Sequence, residues 1–148
     1  MAKRKKISSE NYLKGLKEVT ENLQDAIDKI KHGSVKGLAN ALLFVGTESR
    51  QRAPVETGDL RGSLEVTIDN VKIAEGQKGG GIRIVSAVPE NGTVGTVSYN
   101  TPYAANQHEH VEYDHPLGGE AKFLEKVLNS EQDRIIRLIA DEVMNDLE

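Results

Sequence analysis

Three of the four histidines fall within eight residues, as His108, His110 and His115, beside Glu109, Glu112 and Asp114. Imidazoles next to carboxylates could ligate zinc or supply a general base. The spacing does not fit the helical zinc-protease pattern His-Glu-x-x-His, because Glu112 stands four residues after His108. His108 and His110 share a face only if the segment is extended. The plainer reading is a polar loop whose histidines satisfy hydrogen bonds or cap a helix.

Other chemistry is sparse. The run Gly76-Gln77-Lys78-Gly79-Gly80-Gly81 lacks the Gly-Lys-Ser/Thr of a phosphate loop, and it reads as a mobile hairpin tip. No Gly-x-Ser-x-Gly elbow is present. Carboxylate pairs such as Asp25 with Asp28 sit on helix faces that read as solvated. There is no cysteine, so disulfides, thiolate metal sites and a cysteine nucleophile are excluded.

The elements that would position these groups follow from periodicity. Ser8 caps a first helix, whose stripe is Leu13, Leu16, Val19, Leu23, Ala26, Ile27 and Ile30. Lys31, His32 and Gly33 read as its end, and Ser34 as the cap of a second helix. That helix buries Val35, Leu38, Ala39, Leu42, Val45 and Gly46, and it stops near Arg52 ahead of Pro54. The first stripe must be covered, by the chain's own body or by a neighbour.

Leu64, Val66 and Ile68 alternate as a half-buried strand, followed by a strand in which Ile82, Ile84 and Ser86 alternate with Arg83 and Val85, and by another from Thr93 to Tyr99. Pro89-Glu90-Asn91-Gly92 reads as a hairpin turn, and a meander is the simplest sheet. Asn91-Gly92-Thr93 matches a glycosylation sequon but reads as part of that turn. A helical stripe returns from Phe123 to Leu147, open to interruption at Asn129-Ser130. The expected fold is α+β: two N-terminal helices, an antiparallel sheet of three to four strands, and a long C-terminal helix packed on it.

The 148 residues suit one domain, 8–148, behind a basic arm, 1–7, carrying Lys3, Arg4, Lys5 and Lys6. Met1–Lys6 resembles the charged start of a signal peptide, but no apolar stretch follows. The chain is acidic overall, at −4, which argues against a domain built to grip nucleic acid. The arm is the one place suited to such contact. At 37% hydrophobic and 4% aromatic residues, with no Trp, the core must be thin and aliphatic, as in chains stabilised by partner subunits. No apolar run is long enough to span a membrane.

The segment Ala53-Pro54-Val55-Glu56-Thr57-Gly58-Asp59-Leu60-Arg61-Gly62-Ser63 reads as a rigid helix-to-strand bend. Pro54 stops the helix, Gly58 takes a positive φ, and Thr57 and Asp59 satisfy free amides. Leu60 anchors the bend, and Arg61 bridges to carboxylates. Farther on come Tyr103-Ala104 with Glu109, and then Phe123-Leu124 opening the last helix.

In this order and spacing the three segments resemble the small head–tail joining, or tail-completion, proteins of long-tailed bacteriophages, often called minor capsid proteins. The resemblance covers about residues 35 to 147. It departs after Tyr103-Ala104, where the family often has Glu-x-Gly-Thr and this chain has Glu109-His110-Val111-Glu112-Tyr113. It implies a structural protein of the virion neck, assembled in the host bacterial cytoplasm, with no enzymatic activity, cofactor or metal. The implied partners are further copies in a ring, commonly of six, the head-side portal or adaptor proteins, and the tail-tube or tail-terminator protein. DNA would pass nearby without specific binding. Partner contacts are expected at Arg61, Tyr103, His108, Glu109, His110, Tyr113 and His115. The alternatives are a tail-terminator ring subunit and, in another class, a metal-dependent hydrolase using His108–His115.

Overall fold

A computed structural model describes residues 8–148, and the basic arm expected at 1–7 lies outside them. The chain is α+β, in the order α1 (Ser9–Arg52), α2 (Asp59–Gly62), β1 (Leu64–Ile68), β2 (Val71–Gly76), β3 (Ile82–Ile84), β4 (Gly95–Tyr99), α3 (Ala104–Glu109), α4 (Phe123–Ser130) and α5 (Gln132–Leu147).

The two helices expected at the N-terminus are one helix of 44 residues, about 66 Å long. It starts as expected, with the Ser8 hydroxyl accepting from the Asn11 amide at 3.3 Å. It stops at Arg52, where Ala53 turns extended ahead of Pro54. Gly33 does not end it. An ideal Cβ on Gly33 would stand 2.7 Å from Val143 Cα, and one on Gly37 2.6 Å from Ile139 Cα. Both glycines are there for the backbone of α5, which runs antiparallel along α1 at a distance no side chain permits. Ser34 is no cap either: its hydroxyl donates back to Ile30 O at 2.7 Å, inside the helix.

The C-terminal helical stretch is two helices, broken at Glu131 beside the expected interruption. The longer piece, α5, lies along α1 and not on the sheet as expected. Polar contacts at the rim reinforce the crossing. Asp146 meets His32 Nδ1 at 2.5 Å and Lys36 at 3.5 Å, while Glu142 meets Lys36 at 3.3 Å and Asn40 at 3.1 Å. The Arg134 guanidinium stands 4.3 Å over the Phe44 ring.

The sheet has four antiparallel strands in the order β3-β2-β1-β4, so it is not the simple meander expected. The alternation at Leu64, Val66 and Ile68 is met, with all three fully buried. Strand β2 was not anticipated. It follows β1 through Asp69-Asn70, both at positive φ (46° and 67°), the geometry of a two-residue hairpin. The glycine run then joins β2 to β3 as a hairpin.

Asn91-Gly92 is not a hairpin turn, because β3 and β4 lie on opposite edges and the connection must cross the sheet end. Asp69 holds that crossing. Its carboxylate accepts from the amides of Thr93 (3.2 Å) and Val94 (2.9 Å), and its own amide donates to Val94 O.

The core between the sheet and α1 is aliphatic. Val66, Ile68, Ile73 and Ala74 of the sheet meet Ala39 of α1, flanked by Leu38, Leu42 and Val97. A second cluster joins Ala53, Leu60, Ala104 and Phe123.

Candidate interaction site

The second cluster is built from the three segments singled out in the sequence. Ala53 and Leu60 come from the bend, Ala104 from the start of α3 and Phe123 from the start of α4. Tyr99 packs edge-on against Phe123, with ring centroids 5.1 Å apart, and His108 does the same at 5.0 Å. The Tyr99 hydroxyl meets the fully buried Ser49 hydroxyl at 2.8 Å, and burial pushes the phenol's pKa up to about 12.

The bend has the expected shape, with differences in detail. Gly58 has φ 87°, and Thr57 Oγ1 accepts from the Asp59 amide. Asp59 caps nothing: its carboxylate pairs with Lys78 at 2.9 Å, and that ammonium holds it below the usual carboxylate range. Arg61 does not bridge to carboxylates. Nε donates to Ala53 O at 2.9 Å and an Nη to Gln51 O at 3.0 Å. These are the open carbonyls at the end of α1, where the helix dipole also favours a cation. Burial, with Arg50 close by, lowers the Arg61 pKa.

The glycine run is held, where a mobile tip was expected. Arg50 donates to Gln77 O at 3.0 Å and also to Gly80 O, while Lys78 pairs with Asp59. Gly76 lies against Arg61 O, where an ideal Cβ would come within 2.3 Å. Gly62 faces the backbone of Lys78, so the hairpin closes onto the bend.

His108 caps a helix. Its Nε2 accepts from the Glu125 amide in the first turn of α4 at 3.3 Å, which requires the proton on Nδ1, 2.7 Å from Glu109 Oε1. The Lys122 amide donates to His108 O at 2.7 Å, and Lys122 itself has a left-handed φ of 56°. Its ammonium pairs with Glu109 and Glu125. Lys122 first, and His108 second, hold the Glu109 pKa below its usual value.

Of the remaining candidates only Tyr103 lies against the bend, and the others stand apart. His110 stacks on Tyr113 at 4.7 Å and meets Glu112 at 2.6 Å. Tyr113 is exposed. The Nε2 of His115 is buried without a hydrogen-bond partner, and its carbonyl accepts from the Gly118 amide. Tyr103 is exposed beside Pro54, Gly58, Leu60 and Gln107. Among the described residues no three His, Asp or Glu side chains are grouped to hold a metal ion.

Arg50, Lys122 and Tyr99 carry much of this architecture, yet sequence reasoning did not single them out. For Tyr99 the signal was present, an aromatic at a strand end before Pro102. For Arg50 there was none, since its partners are backbone carbonyls distant in sequence, and for Lys122 the pairing with Glu109 spans 13 residues.

No helix of the described residues is long and apolar enough to cross a membrane. Compared with protein-family models, curated proteins and solved structures, the chain gives no match.

Proposed function

We propose that this chain is a structural subunit of a bacteriophage neck. It would complete the tail or join it to the head, in a ring between the portal–adaptor complex and the tail. The observation that carries the reading is the meeting of the three family-like segments in one cluster, Ala53–Leu60 with Ala104 and Phe123. Segments of a shared pattern that meet to make a shape, with no nucleophile–base pair among them, suit a protein that works by presenting surfaces.

His108, Glu109 and Arg61 have structural duties in that cluster. That leaves Tyr103 and Tyr113 as the exposed faces for partners, with His110 and His115 half-buried. The acidic balance suits a wall past which DNA moves without adhering.

The test is electron microscopy of a lysate from the replicon carrying this gene, with the gene disrupted. DNA-filled heads lying beside separate, finished tails are expected. Normal infectious particles would overturn the reading.

A further inference from the structure

The N-terminal half of α1 has an apolar face that nothing covers among the described residues. Tyr12, Leu13, Leu16, Val19, Leu23, Ile27 and Ile30 are each between 43% and 65% exposed. The face has a heptad order. With Leu13 at a, the a positions are Leu13, Thr20 and Ile27, and the d positions are Leu16, Leu23 and Ile30. Tyr12, Val19 and Ala26 fall at g and widen the seam.

In the same register the covered half of α1 places Gly33 at g, Gly37 at d, Ala41 at a and Phe44 at d. Gly33, Gly37 and Phe44 meet Val143, Ile139 and Arg134 of α5. The bare face is therefore the continuation of a seam that already accepts a helix. Helix α5 covers it from Phe44 back to His32, where Asp146 makes the last contact, and runs out at Leu147.

We infer that the bare part of this seam, Tyr12–Ile30, receives the same helix of a second copy of the chain. A 3-4 repeat of apolar residues packs best against another helix with the same repeat. At roughly 80–100 Å² of apolar surface per side chain, two such faces remove on the order of 1,200 Å² from water, which reaches the range of stable interfaces. The flanking charges do not oppose the pairing. Those at e are Glu10, Lys17 and Lys31, of both signs, and Lys17 is matched by Glu21 on its own helix at 3.8 Å. Thr20, a polar residue at the central a position, weakens the seam and leaves it reversible.

The inference rests on the assembly reading only in taking the partner to be a second copy. Sedimentation velocity of the full chain, across about a hundredfold range of concentration, tests it without a virion. The parent chain should pass from monomer to oligomer. Leu16→Glu/Leu23→Glu should stay monomeric throughout, with its thermal unfolding unchanged because both residues lie outside the body. Thr20→Leu should associate at least about tenfold more tightly. A parent chain that is monomeric at every concentration, association that survives the double substitution, or a Thr20→Leu variant no tighter than the parent would each overturn the seam. Normal particles after gene disruption would remove the neck role and leave the seam standing.

Discussion

The two halves of α1 share one helix, one heptad register and opposite surroundings. From Gly33 to Arg52 the helix is pressed between the sheet and α5, and where the α5 backbone crosses closest the a, d and g positions are small, Gly33, Gly37 and Ala41, with Phe44 beyond them under Arg134. From Ser9 to His32 it stands in solvent, and the same face carries large residues. The size of the side chain on that face tracks how close the partner backbone comes. Where α5 approaches within a Cβ's reach, only glycine or alanine fits. Where nothing in the chain approaches, Leu and Ile protrude. Small residues on an a/d/g face therefore mark an intramolecular crossing in this protein, and large ones mark a face left over for another molecule.

The contrast can be broken most severely at the anchored end. Phe123 is 1% exposed and touches residues from the bend, α3 and β4. Phe123→Ala should cost about 3–5 kcal/mol in chemical denaturation. A cost below about 1 kcal/mol would show that the cluster closes over the gap and is not what fixes the end of α1. By contrast Leu23→Ala, in the bare half, should leave the unfolding free energy of the dilute monomer within about 0.5 kcal/mol.

One substitution made in both halves should have opposite signs. Gly37→Ala puts a methyl into the Ile139 backbone and should destabilise by about 1–3 kcal/mol as α5 is pushed off. Gly15→Ala meets nothing within 4 Å and should favour the helix locally by about 0.5–1 kcal/mol. Amide exchange across residues 9–32 reads the second effect, which a global melting curve would miss. Equal effects at the two sites would mean that α5 does not seat where Gly37 places it.

Arg61→Lys sharpens the picture at the helix end. Lysine keeps the charge but cannot reach Ala53 O and Gln51 O with two fixed donors. A loss of about 1–2 kcal/mol is expected, with circular dichroism unchanged. A neutral result would show that the charge alone serves α1's carbonyls.

These sites also show what the sequence discloses. Strand β1 was legible because Leu64, Val66 and Ile68 alternate, and one face of a pleated strand meets the core. The stop at Arg52 was legible because Pro54 acts on the residue before it, a local effect. Gly33 misled because two physical reasons for glycine leave the same letter. A left-handed cap and a close helix crossing both need the missing Cβ, and only the position of Val143, more than a hundred residues away, separates them.

Strand β2 was missed because Val71-Lys72-Ile73-Ala74 has no clean alternation: a bulge in the β1–β2 pairing buries both Ile73 and Ala74. The sheet order was hidden for a similar reason. Asn91-Gly92 is a strong local turn signal, but which edge β4 joins depends on Asp69 catching the amides of Thr93 and Val94 from 24 and 25 residues away. At the site, the capping role of His108 was legible as one of two options, whereas the grip of Arg50 on the glycine hairpin was not. A guanidinium that seeks carbonyls has no pattern of its own.

The smallest effect tests the last contact before the covered half gives way to the bare one. His32 first, and Lys36 after it, hold the Asp146 pKa below its usual value. A carboxylate with a depressed folded pKa binds its proton more readily in the unfolded chain. Its stabilisation is therefore complete above the unfolded pKa, near 4, and is lost as pH falls through the folded value. The parent should melt slightly above Asp146→Asn at neutral pH, and the gap should close as acid protonates Asp146. A gap that persists unchanged to about pH 2 would mean the asparagine is disturbing packing and not charge. If instead there is no gap at any pH, the end of α5 is not pinned there, and the boundary between the covered and bare halves of α1 lies nearer Gly37.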